Sequence, residues 1–264
     1  SKVLNKSQTA YIDIVEATPR NTAPAIAFAA FAAKPDDILI VTPSDHIIDE
    51  IEAYNYAIAE AIAKAQDNYI VTFGIVPTKP ETGFGYIEHK EDTVLAFREK
   101  PNKATAIDFI SRGNFLWNSG MFCFKAGVLL DELKAFEPEV YAKAKSVWEA
   151  NQNGRLDLDL SMAIPSISID YAVMERSKKI KVVASQFAWS DLGPFESVYH
   201  YLLAQGHPVD AQGNMVIGTD VFSTFIGMRN TIFVATPDAN LILQKEQSQD
   251  VKNIYNELER KKSN

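Results

Sequence analysis

The sequence predicts an α/β protein whose sheet is covered by helices. Apolar runs alternate along the chain with segments of helical period, which is typical of α/β architecture. Two of these runs, within residues 36–46 and 69–75, are almost continuously apolar, as in parallel strands covered on both faces. A chain of 264 residues is long enough to bury most of its apolar surface around such a sheet.

Local signals divide the first half of the chain into further elements. Residues 11–16 are predicted as a short strand, and Asn21 or Thr22 can cap the helix that follows, with Pro24 in its first turn. After the strand that ends in the polar loop at 42–46, we expect a helix at 51–65, strands at 69–75, 82–88 and 94–99, a helix at 102–112 and a strand at 115–124.

The second half is predicted to be helical at 128–150, with an interruption near Pro138, and again at 169–177. A strand at 180–184 and a helix at about 194–203 follow. A boundary near Gly206 and Pro208 separates residues 1–206, the expected core, from a small C-terminal β/α extension of residues 207–264. Short strand-like runs and a closing helix at about 249–260 make up the extension.

Composition excludes several classes of protein. Cys123 is the single cysteine, so neither a disulfide scaffold nor a zinc site built on paired cysteines is expected. The chain has no run of about 20 apolar residues that would span a membrane. Residues 1–9 are polar and give no signal peptide, which favours a cytoplasmic location. A net charge of −8 argues against a nucleic-acid binder.

Two acidic turns are candidates for holding a metal ion. Asp45, in VTPSDH, follows a predicted strand, and open α/β sheets bind ligands beyond the carboxyl ends of their strands. Asp191, in WSDLGPF, is a second acidic residue in a tight turn. The alternatives are that Asp45 only caps the next element and that Asp191 only makes a turn. We interpret the neighbouring His46 as structural.

Three further segments carry polar groups suited to a sugar phosphate. Gly85 follows Phe84 in PETGFGYIEHK, where a glycine allows the backbone to approach a ligand or simply makes a turn. Glu99 and Lys100, in FREKPN, combine a carboxylate with an ammonium group, although most such pairs are solvated surface charges. Asn118 lies inside an apolar strand, where a polar side chain needs a partner.

The acidic segment RLDLDLS holds Asp157 and Asp159 in the Asp-x-Asp spacing of metal-binding glycosyltransferases. It lacks a buried strand before it. We therefore interpret it as the solvated start of a helix, not as a metal site.

The order of these motifs resembles that of the mannose-1-phosphate guanylyltransferases, which are sugar-1-phosphate nucleotidyltransferases. The resemblance runs from about residue 16 to residue 199, with a tail similar to the family's C-terminal extension. It rests on the segments RNTAPAIAFAA, VTPSDHIIDE, PETGFGYIE, FREKPN, LWNSGMF, SIDYAVMERS and WSDLGPFESVY. It implies a Rossmann-like core and conversion of GTP and mannose 1-phosphate to GDP-mannose and pyrophosphate.

The resemblance also implies roles for individual residues, with no nucleic acid and no membrane as partner. Asp45, Lys100 and Asp191 are the expected catalytic residues, and the two aspartates match the family's Mg²⁺ ligands. The expected nucleotide contacts are Glu16, Arg20, Asn21 and Thr22. The expected sugar-phosphate contacts are Gly85, Glu99, Lys100, Asn118 and, as a further addition, Asp170.

One departure from the family pattern leaves alternatives open. The family's Gly-rich loop, GGxGxRLWPLS, which cradles the triphosphate through backbone N–H groups, is not found in this sequence. We therefore expect residues 1–264 alone to be inactive, with an unpaired sheet edge that self-association into a homo-oligomer could cover. The alternatives are a non-catalytic nucleotide- or sugar-phosphate-binding module and a nucleotidyltransferase of another sugar 1-phosphate.

Overall fold

The structure is a computed structural model that describes residues 10–151 and 155–262. The strands are β1 (Ile38–Val41), β2 (Ile47–Ile48), β3 (Ile70–Ile75), β4 (Tyr86–Lys90), β5 (Thr93–Arg98), β6 (Phe115–Lys125), β7 (Ile180–Ser185), β8 (Trp189–Ser190), β9 (Met215–Ile217), β10 (Thr231–Ala235) and β11 (Asn240–Gln244). The α-helices are α1 (Thr22–Ala32), α2 (Ile51–Gln66), α3 (Lys103–Arg112), α4 (Ala126–Phe136), α5 (Pro138–Glu149), α6 (Leu158–Met162), α7 (Phe195–Ala204) and α8 (Val251–Lys262).

The described residues form two compact units, one within residues 1–43 and 49–187 and one within residues 44–48 and 188–264. The first unit is built on a six-stranded sheet in the order β1-β6-β3-β7-β5-β4. Only β3 and β7 pair in parallel in this sheet, and the other neighbours are antiparallel. The flanking helices and the mixed sheet confirm the predicted α/β class.

The core of the first unit joins the sheet to α1, α4 and α5. Its buried residues include Ala23, Ala27, Phe28 and Ala30 of α1 together with Leu129, Leu133, Val140 and Ala144 of the two other helices. Alanines on one face of α1 let the helices approach closely without leaving cavities. The predicted cap is confirmed, since the Asn21 side chain accepts a hydrogen bond from Thr22 N at 2.8 Å.

The prediction of parallel pairing for the strand in DDILIV is wrong. β1 pairs antiparallel with β6, with Ile38 opposite Lys125 and Val41 opposite Phe122. β6 lies between β1 and β3 in the sheet, and its residues Phe122 and Cys123 pair with β1 on one side and with β3 on the other. β1 is therefore an edge strand, and Ile40 is 41% exposed instead of covered on both faces.

The strand predicted at residues 11–16 is also wrong. Only Val15 makes an isolated bridge, to Arg155, and no second strand lies beside this segment in the part of the chain that the structure describes. Apolar residues alone do not make a strand, because the ladder hydrogen bonds need a neighbour. In contrast, the helix start predicted at Asp157 is confirmed, since its carboxylate accepts from Leu160 N at 2.8 Å and caps α6.

The second unit contains a two-stranded ribbon of β2 and β8 and a three-stranded sheet in the order β11-β10-β9. A small core of Tyr199, Met215, Ile232 and Leu243 holds the three-stranded sheet against α7. Among the residues that the structure describes, no helix combines the length and the apolar character needed to cross a bilayer.

A charge cluster in the first unit gives a pH-dependent stability. The Asp92 carboxylate accepts hydrogen bonds from Lys64 Nζ at 2.8 Å and Lys181 Nζ at 2.9 Å, which lowers the pKa of Asp92 to about 2. A carboxyl group with a depressed pKa stabilises the fold above its unfolded pKa of about 3.9, and that stabilisation is lost as the pH falls toward 2.

We expect Asp92→Asn to lower the free energy of unfolding at pH 7 by roughly 1 kcal/mol. The value is discounted for solvent screening, because the Asp92 side chain is 38% exposed. The difference from wild type should shrink as the pH falls from about 4 toward 2, because the Asp92 carboxyl of the unfolded chain takes up a proton first and that of the folded protein follows near its pKa of about 2. Urea unfolding at pH 7, 4 and 3 measures this. Asp36→Asn is the control, since Asp36 is exposed and has no ion pair in the described part of the chain. Equal losses in the two variants would contradict the assignment.

Candidate functional site

Asn118 lies at the centre of the candidate site in the first unit. Its backbone N–H donates to Gly85 O at 2.8 Å, and its Nδ2 donates to Asp170 Oδ1 at 2.8 Å. Its Oδ1 accepts from Gly120 N at 3.1 Å and from Thr72 Oγ1 at 3.3 Å. Because Gly120 N–H can only donate, the amide orientation is determined by these partners. Among the residues that the structure describes, the second N–H of Nδ2 has no hydrogen-bond partner, which leaves it for a ligand.

Gly85 places its backbone directly beside the Glu99 carboxylate. The pairing of β4 with β5 sets Tyr86 opposite Arg98, which brings the residues flanking this pair together. A Cβ atom on Gly85 would lie 2.7 Å from Glu99 Oε2 and 3.5 Å from Asn118 Cβ. The glycine therefore allows a close approach of Glu99, and the structure brings Gly85, Glu99 and Asn118 together.

Lys100 supplies a cation next to this carboxylate. Its Nζ donates to Glu99 Oε1 at 2.5 Å, and this hydrogen bond raises the pKa of Lys100 against the opposing effect of burial. The Lys100 side chain is 60% exposed, so the ammonium group can turn toward a ligand. Lys100 also has φ of 44°, in the left-handed region that non-glycine residues seldom occupy. Backbone strain of this kind clusters at functional positions.

Asp170 begins a single turn of π-helix, Asp170–Met174, a feature frequent at functional sites. Burial raises the pKa of Asp170, and the nearby Glu99 carboxylate raises it further, while the Asn118 hydrogen bond and Lys100 oppose the shift. The turn also carries Glu175, whose N–H donates to Asp170 O at 2.9 Å. Burial, Glu99 and Asp170 raise the pKa of Glu175.

These groups form an acceptor-rich site that also holds the ammonium group of Lys100. Carboxylates accept hydrogen bonds strongly from hydroxyl groups, and an ammonium group pairs with a phosphate. Sequence reasoning missed Glu175 and Thr72. The spacing of Glu175 from Asp170 indicates a shared site only when the π-helical turn is known. Thr72 gives no signal of its own, because it is one polar residue in an otherwise apolar strand.

The segment predicted to contact the nucleotide lies in the same unit. Glu16 is partly buried, which raises the pKa of its carboxyl group, and its Oε1 has no hydrogen-bond partner in the described part of the chain. Asn21 has φ of 71° and ψ of −173°, a conformation in which an asparagine is strained. Arg20 and Thr22 both have partners, since Arg20 Nε donates to Ile164 O at 2.6 Å and Thr22 Oγ1 accepts from a backbone N–H.

The second unit contains both predicted metal ligands. Ile47 of β2 pairs with Ser190 of β8 in the antiparallel ribbon. Asp45 lies two residues before Ile47, and Asp191 directly follows Ser190. Both aspartates therefore lie at the same end of the ribbon. Asp45 is 81% exposed. Asp191 also makes the expected turn, because its Oδ1 accepts from Gly193 N at 3.0 Å.

The interpretation of His46 as structural agrees with its contacts, since its Nδ1 accepts from Trp189 Nε1 at 3.1 Å. Within residues 10–151 and 155–262, no group of three or more His, Cys, Asp or Glu side chains is placed to hold a metal ion. Two carboxylates alone still suit Mg²⁺, because this ion takes oxygen ligands and retains several waters.

Two family models match the chain. The Nucleotidyl transferase model matches residues 4–205, and the model of the MannoseP isomerase/GMP-like beta-helix domain matches residues 208–258. The relative RfbM of Salmonella typhimurium, a mannose-1-phosphate guanylyltransferase, is 39% identical over 95% of this chain and 57% of its own length. The mannose-1-phosphate guanylyltransferase of Escherichia coli K12 is 37% identical over 93% of this chain and 57% of its own. The chain thus spans about half the length of these curated relatives.

Solved structures agree with the fold. The mannose-1-phosphate geranyltransferase of Thermus thermophilus superposes with a TM-score of 0.80 over 98% of this chain and 81% of its own, at 24% identity. The mannose-6-phosphate isomerase of Helicobacter pylori is 40% identical, with a TM-score of 0.69 over 72% of this chain and 79% of its own. Since the Nucleotidyl transferase model covers more than half of the sequence, the chain belongs to the nucleotidyl transferase family.

Proposed function

We propose that this chain carries the substrate-binding residues of a mannose-1-phosphate guanylyltransferase, which makes GDP-mannose and pyrophosphate from GTP and mannose 1-phosphate. The observation that carries the proposal is the cluster of Glu99, Lys100, Asn118 and Asp170 around the backbone of Gly85. A phosphorylated sugar has the complementary groups, since its hydroxyls donate to carboxylates and its phosphate pairs with an ammonium group. The names of relatives at 37% and 39% identity support the same substrate.

In the proposed complex, Glu99 and Asp170 accept hydrogen bonds from sugar hydroxyls, and the remaining N–H of Asn118 donates to another. Lys100 leaves Glu99 and pairs with the phosphate as a point charge. Lys100 keeps an ion pair in this movement, because the phosphate replaces the Glu99 carboxylate as its anionic partner. Affinity for the sugar phosphate should therefore depend on Lys100 more than on the solvated lysines around it.

Glu16, Arg20, Asn21 and Thr22 are proposed to contact the nucleotide. The support is the unpartnered Oε1 of Glu16, since a carboxylate can accept from the neighbouring ring and amino N–H groups of guanine. The strained backbone of Asn21 is further support, because strain of this kind persists where the surroundings hold it for function.

Asp45 and Asp191 are proposed to hold Mg²⁺. The bound ion would neutralise negative charge on the phosphates of GTP. In the reaction a phosphate oxygen of mannose 1-phosphate attacks the α-phosphorus of GTP in line, forming one P–O bond while the bond to pyrophosphate breaks. The chain's contribution is to hold the sugar phosphate and offset its charge through Lys100, without a covalent enzyme intermediate.

Lys100→Ala tests the sugar-phosphate assignment. We expect the affinity for mannose 1-phosphate to fall by about 10- to 150-fold, equivalent to about 1.5–3 kcal/mol for a charged hydrogen bond. Isothermal titration calorimetry with mannose 1-phosphate measures the change. Lys103→Ala is the matched control, since Lys103 is exposed at the start of α3. Equal affinity of Lys100→Ala and wild type would refute the assignment.

Pyrophosphate release from GTP, with Mg²⁺ and mannose 1-phosphate, tests the reaction itself. Because the chain spans about half the length of its relatives, the assay is run with this chain and with a version extended to their length. Turnover in either supports the transferase. Sugar-phosphate binding without turnover in both would favour a non-catalytic binding module instead.

A further inference from the structure

A threonine in the expected nucleotide segment is hydrogen-bonded to the segment that carries Asp170. Thr22 Oγ1 accepts from Ile169 N at 2.8 Å, across 147 positions of the sequence. Ile169 directly precedes Asp170 and occupies the N-cap position of the π-helical turn. The hydroxyl of Thr22 is therefore hydrogen-bonded to the backbone of Ile169, one residue away from Asp170 of the candidate site.

Two more hydrogen bonds connect the same two segments. Arg20 Nε donates to Ile164 O at 2.6 Å, and Ala23 N donates to Ile167 O at 3.2 Å. We call the contacts of residues 20–23 with residues 164–169 the clamp. Its three hydrogen bonds engage the backbone of Ile164, Ile167 and Ile169, in the segment that leads into the π-helical turn. Buried backbone groups need such partners.

The backbone side of the clamp is buried, whereas Thr22 itself is exposed. Ile164 is 0% exposed, Ile169 is 1% exposed and Ala23 is 0% exposed. Without an acceptor at Thr22, the N–H of Ile169 would lose its protein partner, and the backbone at this buried residue would move toward a new one, water included because Thr22 is exposed. Such a movement displaces Asp170, because the two residues are adjacent.

Displacing Asp170 would disturb the sugar side of the site. The Asp170 carboxylate holds Asn118 Nδ2 at 2.8 Å, so a shift of the turn changes two of the groups proposed to meet the sugar. We propose that Thr22 is a positioning residue that sets Asp170 for sugar-phosphate binding, an inference that rests on the proposed function. Thr22 then acts on the sugar site through the clamp and Ile169, whereas a nucleotide contact alone would leave the sugar site unaffected.

Calorimetry with mannose 1-phosphate and, separately, with GTP distinguishes these roles. Thr22→Val keeps the shape of the side chain but removes the acceptor, and should weaken mannose 1-phosphate binding by about 2- to 10-fold, the effect of one neutral hydrogen bond. Thr22→Ser restores the acceptor and should bind like wild type. Thr231→Val is the control, because it removes a buried threonine hydroxyl that donates to Arg229 O in the second unit. Thr22→Val with unchanged mannose 1-phosphate affinity, or with a loss confined to GTP, would overturn the inference.

A second measurement needs no substrate. The carboxyl carbon of Asp170 is titrated by NMR in wild type, Thr22→Val and Thr22→Ser. In Thr22→Val the pKa of Asp170 should move toward the usual range for aspartic acid, and Thr22→Ser should retain the wild-type value. An unchanged titration in Thr22→Val would show that Thr22 does not position Asp170. If wild type fails to bind mannose 1-phosphate, the proposed function fails, and this titration still decides whether the clamp positions Asp170.

Discussion

Replacing Gly85 with alanine should remove most of the affinity for mannose 1-phosphate while leaving the fold almost as stable as wild type. The added Cβ would lie 2.7 Å from Glu99 Oε2, closer than two such atoms can approach. Glu99 Oε2 is the end of a flexible side chain, so the clash is relieved by a rotation of Glu99. That rotation takes the carboxylate out of the position where it meets Lys100 and the sugar.

We expect a loss of about 100-fold or more, since a displaced charged hydrogen bond costs about 10- to 150-fold in affinity and the new methyl group also occupies the site. Calorimetry measures the affinity, and urea unfolding measures the stability. Gly113→Ala is the control for glycine replacement, because a Cβ there meets no atom within 4 Å, although its φ of 70° makes alanine strained. A variant with wild-type affinity would show that Glu99 does not bind the sugar phosphate from its present position.

The sugar-phosphate cluster could be predicted because its residues are conspicuous locally. Asn118 interrupts an apolar strand, and Glu99 with Lys100 ends another, so each is unusual for its element. The register of β4 with β5 then brings Glu99 beside Gly85, as the order of the motifs implied. The roles that we assign to these residues remain predictions until ligand binding is measured.

The features that sequence reasoning missed depend on partners far along the chain. The antiparallel neighbour of β1 is β6, which lies far along the chain, and the failed strand at residues 11–16 depends on the absence of a neighbour among the described residues. Thr72 gives no local signal, since a threonine is common in strands and its hydrogen bond to the amide of Asn118 is visible only in three dimensions. Thr22 was expected to contact the nucleotide, and its bond to Ile169 is visible only in three dimensions.

Gly74→Ala should have the opposite profile to Gly85→Ala, with a large loss of stability. Gly74 is buried one residue before the end of β3, and a Cβ there would lie 2.6 Å from Leu116 Cδ1, 2.9 Å from Leu116 Cβ and 2.9 Å from Val182 Cγ2. The Leu116 Cβ is fixed to the backbone of β6, so rotation of a side chain cannot relieve all three contacts. The strands must separate, and overpacking of this kind costs about 1–3 kcal/mol and occasionally more, so we expect about 3 kcal/mol.

Urea unfolding of Gly74→Ala, Leu116→Ala and the double variant tests the cause. If the clash with Leu116 is responsible, shortening Leu116 relieves part of it, and the double variant should lose less stability than the two single variants together. The coupling should exceed about 0.5 kcal/mol, the limit within which independent sites add. Additive losses would show that Gly74 is needed for another reason, such as the irregular register between Thr72 and Gly74.

Gly74 pairs with Asn118 next to that irregularity, so a separation of β3 from β6 should also weaken mannose 1-phosphate binding. The two glycines thus differ in what a Cβ would meet. At Gly85 it meets the Glu99 carboxylate, which can rotate away, so the loss is in binding. At Gly74 it meets Leu116 Cβ, which cannot rotate away, so the loss is in folding stability.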